Sequence, residues 1–212
     1  MDDAKTWDLI HRERAAMAGT LATLGSGQWS EPSMCDGWSV QVTAAHIVLG
    51  AEQTPGHFFR RMAANGFRFN TMMDRDACQV GTQPPAELVD RLKATTTTTN
   101  RPPAPVATML GEIVVHSEDI RRPLGIAPDT SPDAVLGCLD LFAGSGFPVR
   151  GKKRVEGLRL VATDVDWSAG TGPEVCGSGL DLVLAMTGRA AGLDGLTGDG
   201  VYMLGARLVP VH

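Results

Sequence analysis

Two residues four positions apart could share one chemical task. Glu112 and His116 lie in the segment "GEIVVHSEDIRR", and this spacing in a helix places both side chains on one face, with about 6 Å of rise between them. Helical bundles build metal sites from inward-facing carboxylates and imidazoles in this way. The same spacing also occurs as an exposed ion pair, so by itself it leaves both interpretations open.

His46 is the candidate for a third ligand. It lies in the apolar segment "TAAHIVLG", where a buried imidazole needs a polar partner. A lone histidine on an apolar helix face is more often a hydrogen-bonded core residue, but its combination with Glu112 and His116 favours a metal site. Two imidazoles and one carboxylate around a divalent ion leave positions open to water or substrate, as in catalytic sites. Zinc suits these donors, and nickel, manganese and iron are also compatible.

Other residues could complete such a site. Asp119 follows His116 by one turn and could bond an imidazole, or it could belong to a solvated charge pattern that supports the helix end. Trp38 and Trp167 could wall a pocket or anchor the core. Cys35 has no activating base nearby in the sequence, and we interpret it as a small buried residue.

The elements that must position these residues are helices. Apolar residues recur at helical spacing, prolines and glycines stop the runs, and Ser39 is suited to cap the helix that carries His46. Prolines precede the helix that carries Glu112 and His116, and arginines lie in its last turn. The predicted helices cover residues 5–24, residues 40–64 with a kink at Pro55-Gly56, a segment from Pro84-Pro85 onward, "VATMLGEIVVHSEDIRRPLG" and "SPDAVLGCLDLFAG".

The sequence changes character after "GSGFPVRGKKRVEG". The segments "LRLVATD" and "VYMLGARLVPV" are rich in β-branched and apolar residues, which indicates strands, and "DVDWSAGTGPEV" indicates a tight hairpin or a strand-turn-strand unit. Between them, "SGLDLVLAMTGRAAGL" is helical in pattern. We therefore predict a mainly α protein, with a four-helix bundle domain over residues 1–150 and a small α+β domain over residues 151–212.

Composition limits the classes of function. The chain has 212 residues, 43% hydrophobic and 20% charged, which is typical of a globular protein. Nineteen basic against twenty-four acidic residues give a net charge of −5, which argues against nucleic acid as a partner. No apolar run approaches the roughly 20 residues of a membrane span, and the charged start is unlike a signal peptide. We expect a cytoplasmic protein, monomeric or homodimeric, with reduced cysteines.

Three segments carry a resemblance to a known family. In the order "WSVQVTAAHIVLGAE", "GEIVVHSEDIRRPLG" and "LRLVATDVDWSAGTGPEVCGSGLDLVLAMTGR", the chain resembles the mycothiol-dependent maleylpyruvate isomerase-like branch of the DinB/YfiT-like metalloenzymes. The resemblance implies a DinB-like four-helix bundle and a divalent metal held by His46, Glu112 and His116. It also implies a low-molecular-weight thiol as co-substrate, mycothiol in actinobacteria.

The expected activity is an isomerase or an S-transferase. A thiol that titrates near ~8.5 loses its proton readily on a metal, and the thiolate can add to an activated double bond or displace a leaving group. Two alternatives stay open: a non-catalytic stress protein that binds a metal or small ligand, and a metal-dependent hydrolase. The segment "GFRFNTMMDRDACQVGTQ" resembles the family only loosely, so the acceptor substrate is open. The arginine that would hold an anionic substrate is also open among Arg60, Arg61, Arg75 and Arg189.

Overall fold

Helices make up most of the first 130 residues in the computed structural model, which describes residues 1–146 and 149–208. Residue contacts divide the chain into two units, Met1–Thr130 and Ser131–His212. The helices of the first unit are α1 (Asp3–Ala22), α2 (Val40–Glu52), α3 (Pro55–Ala64), α4 (Phe69–Val80), α5 (Pro85–Ala94) and α6 (Val106–Arg121), with a short 3-10 helix at Gln28–Ser30.

Four of these helices form a bundle around one apolar core. α1 packs on α5 and α6, and α2 packs on the same two helices. Each helix buries one apolar stripe between its neighbours, as surface helices of globular proteins do. This arrangement confirms the prediction of a mainly α chain built on a helical bundle. The fully buried core side chains include Ile10, Met17, Leu21, Val40, Val48, Leu88, Leu92 and Leu110.

The helix that carries His46 ends earlier than the sequence suggested. Gln53 and Thr54 adopt extended backbone conformations, and the Thr54 side chain accepts a hydrogen bond from the backbone N–H of His57. Pro55 then occupies the first turn of α3, where its missing N–H costs nothing. The expected single kinked helix over residues 40–64 is therefore wrong, because a threonine N-cap followed by proline begins a new helix.

The helix α4 was not predicted from the sequence. It spans Phe69–Val80 and buries only Met72 and Ala77, so it lacks the wide apolar stripe that makes a helix readable from sequence. Its packing against α2 stabilises it instead. The tertiary contacts between α4 and α2 therefore stabilise a helix whose local sequence pattern is weak.

Two buried arginines tie α1 to the rest of the bundle. Arg14 is 1% exposed, and its Nη1 donates to the backbone oxygen of Thr95, at 3.0 Å, and to that of Thr98, at 3.3 Å. These carbonyls lie just beyond α5, so the guanidinium caps its C-terminal end. Burial lowers the pKa of Arg14 to about 10. Arg121 on α6 donates through Nε and Nη2 to the Thr20 hydroxyl of α1.

The second unit combines helices with a three-stranded sheet. Its helix α7 was grouped with the bundle in the sequence, but it packs against α9 within this unit because the apolar Ala134, Cys138 and Leu139 are buried. The unit thus begins at Ser131, before the predicted division at residue 150. Its elements are α7 (Pro132–Gly144), α8 (Gly151–Arg154), β1 (Arg159–Ala162), β2 (Ser168–Gly170), β3 (Glu174–Gly177), α9 (Gly179–Met186), a 3-10 helix (Ala190–Gly195) and α10 (Val201–Ala206).

Two predictions for this unit need correction. The strand order is β2-β1-β3, so β2 pairs antiparallel with β1 while β3 runs parallel to β1. Of the two interpretations of "DVDWSAGTGPEV", strand-turn-strand is correct and the hairpin is wrong, because β2 and β3 do not pair with each other. The segment from Val201 to Ala206 is a helix rather than a strand, since Leu204 alone is buried and the alternation that a strand needs is missing. The end of that predicted strand, residues 209–211, lies outside the described residues.

Across residues 1–146 and 149–208, no helix has both the length and the apolar character needed to cross a bilayer. The four cysteines all lie in these ranges, and no disulfide joins them.

Candidate metal centre

The packing of α2 against α6 brings together the three residues singled out in the sequence. His46 lies in the middle of α2, while Glu112 and His116 lie one turn apart on α6. His46 Nε2 is 2.5 Å from Glu112 Oε1, and His116 Nε2 is 3.7 Å from the same oxygen. The two imidazole rings meet edge to face, with 4.6 Å between their centroids.

These three side chains offer donor atoms suited to one cation. One nitrogen from each imidazole and one carboxylate oxygen lie within 4.8 Å of one another. The side chains of His46 and His116 are 8% and 14% exposed, and that of Glu112 is 32% exposed, so the cluster is partly shielded and meets solvent mainly at Glu112. Nε2 of His46 is the nitrogen that faces Glu112, while its buried Nδ1 has no hydrogen-bond partner among the described residues.

Asp119 completes the environment of His116. Its carboxylate is 0% exposed, and Oδ2 accepts a hydrogen bond from His116 Nδ1 at 2.8 Å. Ligating histidines commonly bind a carboxylate through their second nitrogen, which fixes the tautomer and the ring orientation. Of the two interpretations kept open for Asp119, the imidazole partner is therefore correct and the solvated charge pattern is wrong.

Cys35 lies closer to this cluster than its sequence position indicated. Its thiol donates to Asp119 Oδ2 at 3.1 Å, and its sulfur is 3.6 Å from His116 Nδ1. The backbone N–H of Met34 also donates to the backbone oxygen of Asp119. The loop before α2 is thus fastened to α6 beside His116. No local signal could have revealed this, because the partners are separated by 81 and 84 residues along the chain.

Trp38 forms an aromatic wall at His46. The two ring centroids are 5.1 Å apart, and the indole Nε1 donates to Asp74 Oδ1 on α4 at 2.8 Å. The indole therefore links α4 to the site and lies beside the imidazole, with an angle of 52° between the two ring planes. Trp167, the other tryptophan considered, lies in the second unit and donates to Asp140.

The charged end of α6 is buried rather than solvated. Glu118 and Arg121 are 0% and 1% exposed, because α6 lies at the centre of the bundle between α1 and α2. Burial raises the pKa of Glu118, an effect that the positive charges of Arg122 and Arg121 partly oppose. Glu118 Oε2 accepts from Arg122 Nε at 3.3 Å.

The arginines proposed for an anionic substrate have other contacts. Arg61 forms an ion pair with Asp76, and Arg75 contacts the amide oxygen of Asn65. Arg189 belongs to the second unit, where it donates to the backbone oxygen of Thr187. These contacts do not assign any of the candidates, including Arg60, to a substrate.

The first unit is a helical bundle with a DinB-like fold, in which α2 and α6 bring two histidines and a glutamate close together. Residues 10–107 match the family described as the mycothiol maleylpyruvate isomerase N-terminal domain. This match assigns residues 10–107, 98 of the 212 residues, to the mycothiol-dependent maleylpyruvate isomerase-like family. The matched residues include His46 but end before Glu112 and His116.

Solved structures share the fold across nearly the whole chain. The crystal structure of the mycothiol-dependent maleylpyruvate isomerase matches with a TM-score of 0.63 at 16% sequence identity, covering 94% of this chain and 93% of that one. A crystal structure of a mutant of that isomerase matches with the same TM-score and coverage at 15% identity. At such identities the likeness shows the fold alone. No curated protein matches the chain.

Proposed function

We propose that this chain is a divalent-metal-dependent enzyme that uses mycothiol, or a closely related small thiol, to isomerise a small electrophile or to transfer the thiol to it. One observation carries the proposal: His46, Glu112 and His116 point their donor atoms at a common position between α2 and α6. The family match of residues 10–107 supports the choice of thiol, and the name of the structural neighbour supports isomerisation.

The residues present fit such a cation. His46 and His116 would each supply a nitrogen and Glu112 an oxygen, a set that zinc, nickel, manganese and iron accept. When bound, a divalent ion supplies a Lewis-acidic centre that lowers the pKa of a coordinating thiol. The single carboxylate leaves a net positive charge on the site, which favours an incoming thiolate.

Residues beside the three candidate ligands orient them and limit the access of water. Asp119 holds the ring of His116 through Nδ1, so its Nε2 stays directed toward Glu112. The indole of Trp38 covers one side of His46 and reduces the access of water.

Metal content tests the ligand set directly. Elemental analysis of protein purified without chelators should find one transition metal per chain in wild type and a large loss in Glu112→Gln. His57→Ala is a matched control, because His57 lies on the exposed surface of α3. Equal metal content in wild type and Glu112→Gln would contradict the proposed ligands.

Turnover tests the reaction class. Metal-loaded wild type should convert maleylpyruvate, or a general electrophile such as 1-chloro-2,4-dinitrobenzene, only when mycothiol is present. His46→Ala should lose at least 100-fold in kcat/KM, while His57→Ala should retain the wild-type rate. Hydrolysis of an ester without thiol would favour a hydrolase. Tight binding of mycothiol without any turnover would favour a binding protein.

A further inference from the structure

A cleft in the second unit has a volume of about 750 Å³ and lies between the end of α7, the α8 segment and the β1–β2 pair. We call it the α8 cleft. Its charged wall consists of Arg150, Lys152, Lys153 and Glu156, and Val155 and Leu160 contribute to its apolar surface. Its volume falls within the roughly 300–1,000 Å³ that small-molecule sites occupy.

The charge of the α8 cleft is opposite to that of the whole chain. Three cations and one carboxylate line it, in a protein with a net charge of −5. Concave walls of one sign concentrate the field and attract ligands of the opposite sign. The neighbouring Arg154 adds to this positive charge. Burial lowers the pKa of its guanidinium, and the positive charges of Arg189 and Arg150 lower it further.

The walls of the α8 cleft are held by close backbone packing. A Cβ added at Gly151 would clash with the backbone oxygen of Phe142, and one added at Gly170 would clash with that of Leu158. The backbone N–H of Lys152 donates to Ser145. A cleft fixed in this way loses little conformational freedom when it binds a ligand.

We propose that the α8 cleft binds a small organic anion, a carboxylate or a phosphate ester with an apolar body. The anionic group lies at Arg150, Lys152 and Lys153, and the apolar part lies against Val155 and Leu160. A simple inorganic ion would leave the apolar surface unused, and an uncharged molecule would leave the cations without a counter-charge. This site uses none of the residues of the metal centre and is independent of the proposed function.

A fluorescent anion provides the test. The probe 8-anilinonaphthalene-1-sulfonate joins a sulfonate to an apolar aromatic body, and its emission rises on binding. The double variant Lys152→Gln/Lys153→Gln should weaken its binding about five- to tenfold, since each lost partner charge is worth up to about 1 kcal/mol. Glu156→Gln should tighten binding about twofold, because it removes the lining carboxylate. The control is Lys93→Gln, which changes an exposed lysine of α5.

Further binding measurements separate the contribution of charge from that of nonspecific apolar binding. The uncharged N-phenyl-1-naphthylamine should bind wild type and the double variant equally, and phenyl phosphate and benzoate should compete with the sulfonate probe for wild type. Unchanged sulfonate affinity in the double variant, weaker binding in Glu156→Gln, or an equal loss of the uncharged probe would overturn the proposal. Glu112→Gln should bind the probe as wild type does, so a failed metal site and a failed anion site give different results.

Discussion

A single buried carboxylate organises the residues around His116. Asp119 accepts from the imidazole Nδ1 and from the thiol of Cys35, while its backbone oxygen accepts from Met34. A carboxylate without solvent contact needs such donors, since burying a charge without partners is costly. The hydrogen bonds that satisfy Asp119 also hold the ring that would bind the cation, so the stability of this corner and the geometry of the site depend on the same side chain.

Replacing Asp119 should therefore act on metal affinity. In Asp119→Asn the amide can present its N–H₂ group to Nδ1 and favour the wrong tautomer of His116. We expect the affinity for zinc to fall about 10- to 100-fold, measured by competition with a chromophoric chelator. Asp90→Asn changes an exposed aspartate of α5 and should leave the affinity unchanged. An unaltered affinity in Asp119→Asn would show that the hydrogen bond does not position the ligand.

Glu118 should make stability depend on pH. Its pKa is raised, chiefly by burial, and a carboxyl group with a raised folded-state pKa contributes stability below its unfolded pKa that is lost as pH rises through the folded value. The free energy of unfolding of wild type, relative to Glu118→Gln, should thus decrease from about pH 4 toward neutrality. Urea denaturation of metal-free protein at several pH values measures this difference. A difference that grows with pH would contradict the assigned direction.

At the scale of elements, the site depends on how firmly α2 is held. Ser39 caps its N-terminus by accepting from the backbone N–H of Val42. Near its other end, the carboxylate of Glu52 accepts hydrogen bonds from Nε and Nη2 of Arg91 on α5, at 3.0 and 2.7 Å. Both interactions lie outside the metal centre, yet they fix the helix on which His46 is carried. By contrast, α3 has a similar cap at Thr54 but buries none of its residues.

The two caps should therefore differ in their effect on stability. Ser39→Ala should lower the free energy of unfolding by about 1 kcal/mol, because α2 is part of the cooperative core. Thr54→Ala should cost much less globally, since α3 can fray without exposing buried side chains. Chemical denaturation followed by circular dichroism gives both values. Equal losses in the two variants would show that α3 unfolds together with the bundle.

At the scale of the whole molecule, the candidate chemistry is confined to one unit. The metal centre draws all its residues from Met1–Thr130, whereas the α8 cleft lies within the second unit. Each unit has its own buried core, with Leu139, Val175 and Leu184 among the fully buried residues of the second. A ligand that binds only the folded form stabilises the region that must be folded to bind it.

Metal binding should consequently protect one unit selectively. Zinc at about 100 times its dissociation constant should stabilise the first unit by about 2.7 kcal/mol. Hydrogen exchange followed by mass spectrometry should slow in peptides from α2 and α6, with little change in peptides from α9. Glu112→Gln should abolish the protection. Uniform slowing in both units would show that the ligand acts on the chain as a whole.

The sequence by itself determined the elements whose signals are local. Helical periodicity, proline and serine caps, and the four-residue spacing of Glu112 and His116 identified the main helices of the bundle, because these signals lie within a few residues of one another. The candidate triad also came from the sequence, since an imidazole in an apolar helix and an E-x-x-x-H pair each call for a partner. Their role as metal ligands remains a prediction.

Only the tertiary structure decided which distant groups meet. The sequence could not place Cys35 and Asp119 beside His116, cover His46 with Trp38, or stabilise the weakly patterned α4, because each depends on contacts between remote segments. The sequence also left open whether β2 and β3 form a hairpin, and it indicated a strand at residues 201–206, where the structure has a helix. Strand pairing and burial are set by packing free energy summed over the folded chain, and this quantity is not encoded in any short stretch of sequence.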